Sequence, residues 1–373
     1  MRKKVLAILG ASYLQEPLYI KARNKGLYTL GFSWPEGAVC KDLADEFYPI
    51  SVLDYEDILK VCEEKHIDGI VTVATDICIP VIAKIAEKLQ LPGNSVDTAL
   101  STTNKFMMRE KLQKSDIKIP AFITTNKLIP FSETSLRLPV IVKPVDRSGS
   151  LGVTRVNTTA EFTQALEQAI ACSLSGKIII EEFIEGDEVS VEAISYKGRH
   201  KVITITDKVT TGPPHFVELE HHQPSILPDS IQKEIYSVTE AILELFNVQN
   251  GASHTELKIT QAGEIYCIEI GTRMGGDFIG SDLVELSTGF DFVNAVIDIA
   301  LGQFNPVEDF EVKSSSGVYF LSKETEYLQD FMKQSNDDRI VKKKIQSEVL
   351  KPLNSSNDRS GYLIYKSPQR LRL

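Results

Sequence analysis

The stretch HTELKITQAGEIYCIEIGTRMGG, residues 254–276, decides the reading of this chain. Two runs of strand-forming residues, HTELKI and EIYCIEI, flank Ala262 and Gly263, and together they read as a hairpin. In-register pairing across that turn sets Glu256 directly opposite Glu269, with Cβ atoms about 5 Å apart. Leu257, Ile259, Tyr266, Ile268 and Ile270 then share the other face. Two facing carboxylates on a half-buried surface repel each other unless one is protonated or a cation lies between them. The pattern therefore points to a metal ion. The alternative is an exposed sheet face on which both acids are solvated beside Lys258.

At 373 residues the chain exceeds one ordinary core, so two or three domains are expected. With 42% hydrophobic and 25% charged residues it has the composition of a folded globular protein. A net charge of −10 argues against a general nucleic-acid or anionic-membrane binder, because the densest basic run is VKKKIQ near the C-terminus. No apolar run approaches the ~20 residues needed to span a bilayer. Cys40, Cys62, Cys78, Cys172 and Cys267 are scattered and never form CxxC, which favours neither a disulfide framework nor a structural zinc site. A reducing compartment, the cytoplasm, is the expected location. Val5 to Leu9 reads as a buried strand and not as a signal-peptide core, since a polar, proline-containing turn follows it.

The first hundred residues alternate between strand and helix: VLAIL, EPLYIKARNKG, YTLGF, FYPI, YEDILKVCEEKH, DGIVTVA and IPVIAKIAEKLQ. This rhythm predicts an α/β domain with a doubly wound parallel sheet. Ligands in such sheets lie at the carboxyl ends of strands, here near Gly10, Ala11 and Ser12 and near Thr75-Asp76. GAS lacks the GxGxxG fingerprint and no matching acid follows the second strand, which disfavours a dinucleotide site. Beyond LPGNSVDTALSTTNK the pattern becomes α+β. It runs through a helix (KFMMREKLQKS), a strand (LPVIVKP), a glycine loop, a helix (TAEFTQALEQAIACS) and a strand (KIIIEEFI). A hairpin, EVSVEAISY and RHKVITITD, turns at Lys197-Gly198, and a helix covers about 230–246. SSGVYFLS and GYLIY suggest a small closing sheet.

In VIVKPVDRSGSLGVTRV, residues 140–156, a strand ends at Lys143 and turns through small residues. Glycines let backbone N–H groups approach phosphate oxygens, and Lys143 adds a point charge. A hairpin turn with a solvent-exposed lysine is the plain alternative. In IIIEEFIEGDEVSVE, residues 178–192, an apolar strip could hold a flat purine while Glu188 accepts hydrogen bonds from ribose hydroxyls. A charged edge strand turning at Gly186 is the alternative there. Lys105, opening the helix after STTN, can equally be a solvated helix lysine.

Taken together, NKFMMR, VIVKPVDRSGSLGV, EEFIEGDEVSVE, HTELKI and IEIGTRMGG occur in an order and spacing that resemble the ATP-grasp superfamily over about residues 100–290. ITDKVTTGPPHFVELEHHQPS is similar to its carboxylate-amine, amino-acid-ligating branch. The resemblance implies a domain at 1–103 preceding the ATP-grasp fold, a small nucleotide-binding subdomain at 104–187, a large catalytic subdomain at 188–302 and a closing region at 303–373.

It also implies roles. Lys105 and Lys143 would contact ATP phosphates, and Arg147, Ser148, Gly149, Ser150, Leu151 and Gly152 would close over them. Glu181, Glu182, Phe183 and Ile184 would hold adenine and Glu188 the ribose. Glu256 and Glu269 would bind Mg²⁺, or Mn²⁺ in its place, and Arg273 would meet the substrate carboxylate or an acyl phosphate. Many members read EINPR where this chain has Glu269, Ile270, Gly271, Thr272 and Arg273, so a side-chain metal ligand is missing at Gly271. Lys208, Glu218 and His221, with His215 and His222, would lie in a Gly- and Pro-containing loop on the acceptor side; the alternative is a set of exposed loop residues with no catalytic role.

The expected activity is ATP-dependent joining of a small-molecule carboxylate and amine through an acyl phosphate, in a monomer or homodimer. The competing expectations are another ATP-grasp reaction and an ATP-binding protein that has lost ligation.

Overall fold

The computed structural model describes residues 2–213, 215–334 and 336–373. Its N-terminal unit is a four-stranded parallel sheet built from β1 (Val5–Leu9), β2 (Tyr28–Phe32), β3 (Glu46–Tyr48) and β4 (Gly69–Val71), in the order β3-β2-β1-β4. Both faces are apolar and both are covered. Ala7 and Leu9 meet α2 (Tyr55–Lys65) and α3 (Ile79–Lys88) through Ile58, Cys62, Val81 and Ile85. Leu6 and Ile8 meet α1 (Glu16–Asn24) through Leu18 and Ala22. That second layer is completed from far along the chain by the helix Phe292–Ala300, whose Val293, Val296 and Ile297 join the same cluster.

The helices α4 (Val96–Ser101) and α5 (Lys105–Leu112) lead into a four-stranded antiparallel sheet. Its strands are β5 (Phe122–Thr125), β6 (Val140–Pro144), β7 (Thr154–Val156) and β8 (Ile178–Glu182), in the order β5-β8-β6-β7. Strand alternation sends Val140, Val142, Ile178 and Ile180 onto α6 (Thr159–Cys172), where Phe162, Leu166 and Ala169 receive them. Ile141, Lys143, Ile179 and Glu181 are left for the opposite face.

The largest sheet has eight antiparallel strands, with β9 (Asp187–Tyr196), β10 (Arg199–Thr210), β11 (Glu218–Gln223), β12 (Asn250–Ile259), β13 (Ile265–Gly271), β14 (Ser315–Leu321), β15 (Ile340–Ile345) and β16 (Gly361–Ser367) in the order β13-β12-β9-β10-β11-β14-β16-β15. Val189, Val191, Ile205, Leu257 and Ile259 pack against α5 and α7 (Asp229–Leu245) through Met108, Ile235, Ile242 and Leu243.

Two sequence expectations change here. The C-terminal strands do not form a closing sheet of their own, because β14 pairs with β11 and so extends the central sheet. The hairpin pairs Glu256 with Glu269 as expected, but the register then shifts between Glu256 and Leu257, so that Leu257 faces Cys267. This bulge reverses the faces of β13 on the turn side, while Leu257 and Ile259 of β12 stay in the core as expected. Ile265 and Cys267 enter the core in place of Tyr266 and Ile268, and Ile268 turns to the cleft. Among the described residues no helix is long and apolar enough to cross a membrane.

Candidate active site

The two antiparallel sheets turn their polar faces toward one cleft. On the large sheet the strand registers place charged side chains side by side. Glu192 lies opposite His254, Glu188 opposite Lys258, and Glu256 opposite Glu269. Lys208 lies on the neighbouring β10. It is 4% exposed, and its Nζ lies 2.7 Å from Glu188 Oε1, 2.8 Å from Glu256 Oε1 and 3.7 Å from Glu218 Oε1. Burial pulls the Lys208 ammonium toward neutrality, but Glu188, Glu256 and Glu218 outweigh it and hold its pKa well above the usual lysine value. Burial pushes the Glu256 carboxyl up, while Lys208 and His254 pull it well below the carboxylate range.

Glu269 is held by Lys105, with Nζ to Oε1 at 2.9 Å, and the same ammonium donates to the carbonyl of Arg147 at 2.7 Å. Asn104 starts α5 by accepting the N–H groups of Phe106 and Met107, which fixes where Lys105 points. One turn further, Arg109 reaches Glu181 at 2.6 Å and the carbonyl of Ile268 at 2.7 Å. Lys143 donates to the other oxygen of Glu181 at 2.7 Å. Burial opposes ionisation of Glu181, yet these two cations bring its pKa down to about 2. The Glu181 side chain is thus committed to two cations, and what its segment offers a ligand is backbone and the neighbouring apolar residues.

Those neighbours form a shelf. Phe183, Ile184, Ile141, Phe216 and Ile268 line the cleft beyond the lysines. The Arg155 guanidinium lies 4.1 Å from the Phe183 ring centroid, Lys258 Nζ lies 5.3 Å from it, and Phe216 tilts against it at 5.8 Å. The glycine loop closes the near side through Arg147, Ser148, Gly149, Ser150 and Leu151. Gly152 sits behind it with φ +74, where a Cβ would come 2.8 Å from Cys172 Cβ.

Arg273 lines the cleft and pairs with Asp76 of the N-terminal unit. Burial works against its charge, and Asp76 more than restores it, raising its pKa above the usual guanidinium value. Glu218 also faces the cleft and accepts from Arg359 at 3.2 Å, while Arg359 donates to Asp277 at 2.8 Å.

The expected acceptor loop is mostly strand: Lys208 belongs to β10, and Glu218, His221 and His222 belong to β11. His221 is buried behind Asp277, edge-on to Phe320, and does not line the cleft. Burial lowers its pKa, with Asp277 opposing. His222 is committed to Tyr365 and Glu220, at 2.9 and 2.8 Å.

Sequence reasoning missed His254, Lys258, Ile268, Arg109 and Phe216. His254 and Lys258 stand two residues either side of Glu256 and were accessible from strand alternation. Arg109 follows Lys105 at helical spacing.

For a metal, the donors present are oxygens from the opposed pair Glu256 and Glu269. Among the described residues no group of three His, Cys, Asp or Glu side chains is arranged to hold an ion. This suits a cation that completes its shell with phosphate oxygens and water, the usual habit of Mg²⁺, and does not suit an ion held by an all-protein cage.

Residues 136–282 match the family model for the ATP-grasp domain. The alanine–anticapsin ligase of Bacillus subtilis (strain 168) is 28% identical over 268 residues, covering 65% of this chain and 56% of that protein. The L-arginine-specific L-amino acid ligase of Bacillus subtilis is 25% identical over 232 residues, covering 58% and 55%. This chain therefore spans little more than half the length of these curated relatives. In three dimensions it is similar to an L-amino acid ligase from Bacillus licheniformis, with a TM-score of 0.81 at 24% identity over 99% of this chain and 94% of that one. It is also similar to phosphoribosylglycinamide synthetase from Anaerococcus prevotii, with a TM-score of 0.76 at 22% identity over 98% and 95%.

Proposed function

We propose that the protein is an ATP-dependent carboxylate-amine ligase that forms an amide or peptide bond and releases ADP and phosphate. One observation carries the reading. The opposed carboxylates Glu256 and Glu269 share a single cleft with Lys105, Lys143, Lys208, Arg273 and an aromatic-aliphatic shelf. In-line phosphoryl transfer needs charge neutralisation and positioning more than a protein nucleophile, and this cleft supplies both. The similarity to ligases named for amino-acid substrates supports the same class.

On this reading adenine lies on the shelf of Phe183, Ile184, Ile141 and Ile268, with the backbone of 181–184 at its edge. Glu188 takes the ribose. Lys105, Lys143 and Lys208 hold phosphate oxygens while residues 147–151 exclude water. Glu256 and Glu269 hold Mg²⁺, which when bound neutralises phosphate charge. Arg273 meets the carboxylate substrate, whose oxygen attacks the γ-phosphorus as ADP leaves. The amine, after giving up a proton to solvent, attacks the acyl carbon; the C–O bond to phosphate breaks, and the second proton leaves the nitrogen with the departing phosphate. Glu218, which lines the same cleft, receives the ammonium of the incoming amine on this reading.

The test is phosphate release from Mg-ATP across amino acids taken singly and in pairs, with ammonia, bicarbonate and phosphoribosylamine as controls. Release that requires one pair, with the condensed product seen by mass spectrometry, supports the ligase and names its substrates. Release with phosphoribosylamine or bicarbonate instead transfers the protein to another reaction of the fold. Nucleotide binding with no release under any mixture refutes catalysis of this kind.

A further inference from the structure

Thr75-Asp76, at the carboxyl end of the fourth parallel strand, stands out in the sequence as a ligand edge, and the nucleotide site leaves it without a role. The structure carries Asp76 across the domain boundary. Its Oδ1 accepts from Arg273 Nε and its Oδ2 from the terminal nitrogen NH2, both at 2.8 Å, a two-pronged pair that fixes the plane of the guanidinium. Asp76 is 8% exposed. The segments bearing the pair are tied on either side. The N–H of Ala74 donates to the carbonyl of Met274 at 3.2 Å, and the hydroxyls of Thr102 and Thr272 lie 3.0 Å apart. Arg273 NH1 makes only a long 3.4 Å contact with the carbonyl of Met274, and the residue lines the cleft.

Gly271 is an independent observation. A Cβ built there would lie 2.6 Å from Asp76 Oδ1. The volume that a side chain at position 271 would need is filled by this carboxylate. The residue missing from the EINPR-like pattern and the acid arriving from the N-terminal unit are therefore two sides of one arrangement. Asp76 also feels Lys105 and His254, which touch Glu269 and Glu256, so it belongs electrostatically to the same site.

We propose that Asp76 is a positioning residue of the active site: a carboxylate from the N-terminal domain, admitted by the absence of a side chain at Gly271, that orients Arg273 toward the substrate carboxylate or acyl phosphate. The assignment rests on the role given to Arg273 above. It makes the N-terminal domain a part of the site, since Arg273 alone can rotate out of the cleft.

The experiment compares wild type, Asp76→Asn, Asp76→Ala, Gly271→Asn and the double variant Asp76→Ala/Gly271→Asn. Crystals with Mg-AMP-PNP report where Arg273 lies. Phosphate release with the active substrate pair reports kcat and KM. Calorimetry with Mg-AMP-PNP and thermal unfolding report whether the nucleotide site and fold survive. In Asp76→Ala the guanidinium should move by an ångström or more and kcat should fall roughly 10²-fold, the usual consequence of such a displacement. Nucleotide affinity should stay within about threefold of wild type, and Asp76→Asn should fall between the two. Gly271→Asn should expel Asp76 and reproduce the Asp76→Ala loss, and the double variant should be no worse than either single one. Arg273 unmoved in Asp76→Ala, losses that multiply in the double variant, or an equal loss of nucleotide affinity would each overturn the proposal. Should wild type release no phosphate with any pair, the ligase reading fails and the Arg273 position in the crystals alone decides the role of Asp76.

Discussion

Replacing Glu181 by glutamine tests the buried charge triad that anchors the small sheet to the rest of the site. Glu181 is 3% exposed and stands between Arg109 at 2.6 Å and Lys143 at 2.7 Å. Its pKa is about 2 against an ordinary 4.5, a gap of roughly 2.5 units or about 3 kcal/mol of stabilisation of the ionised form. Removing one member of a buried ion pair costs about 3–5 kcal/mol in general, because the partner charges stay buried. The folded pKa is depressed, so this stability is fully present above pH 4.5 and is lost as pH falls toward 2. Glutamine has nearly the same shape and does not titrate. Hydrogen exchange of the β6 and β8 amides reads the local opening free energy. At pH 7 the variant should exchange about 10²-fold faster than wild type, and the difference should shrink below pH 4.5. A difference under about threefold at pH 7, or one unchanged between pH 7 and pH 3, would refute the triad as a source of stability. In the same variant Lys143 loses a competing anion, so affinity for Mg-AMP-PNP should not fall.

Glu269→Gln should keep the fold, weaken Mg-dependent nucleotide binding and abolish most turnover; near-normal phosphate release would defeat the metal assignment. Gly186→Ala should destabilise by about 2 kcal/mol or more, since φ is +153 and the Cβ would lie 2.1 Å from the carbonyl oxygen of Ile259; denaturant unfolding measures it, and an unchanged midpoint would refute the clash. In the nucleotide-free protein His254 should titrate near pH 9, because burial lowers its pKa but Glu192 and Glu256 raise it further. Its contribution to stability is thus full below pH 6.5 and lost as pH rises through 9, and an imidazole NMR midpoint near 6.5 would contradict it.

The sequence made the fold legible where local chemistry and tertiary context agree. Val5 to Leu9 and Tyr28 to Phe32 are apolar runs buried on both sides, and they became parallel strands. The turn at Gly263 pairs Ile259 with Ile265, a register that alone would put Glu256 opposite Ile268, and the Glu256–Glu269 pairing arises from one extra residue bulged in β13. That bulge was not legible, because Ile265, Tyr266, Cys267, Ile268 and Ile270 are all residue types that suit a core, and nothing local marks which of them leaves it. Ile268 therefore looked like a core residue. Asp76 and Arg273 are 197 residues apart, and no local pattern joins them. Lys208 and Glu218 seemed to share a loop because Gly212 and Pro213 lie between them; the structure places both residues on strands.

One feature of the charge distribution links the separate contacts. Four cations that line the cleft already hold an acid of the protein: Lys105 holds Glu269, Lys208 holds Glu188 and Glu256, Lys143 holds Glu181, and Arg273 holds Asp76. Burying these groups unpaired would cost several kcal/mol each, so the ligand-free site is self-neutralised. On the proposed reading, Mg-ATP enters by exchange. Glu256 and Glu269 would hold the metal ion, and Lys105 and Lys208, released from those acids, would be free to hold phosphate oxygens. Glu181 and Asp76 are not among the acids proposed to meet the metal, and Glu181 keeps a second cation, Arg109, if Lys143 turns to a phosphate. Arg109 ties Glu181 to α5 and Asp76 ties Arg273 to the N-terminal unit, which is why their loss should be read first in stability for Glu181 and in the geometry of Arg273 for Asp76.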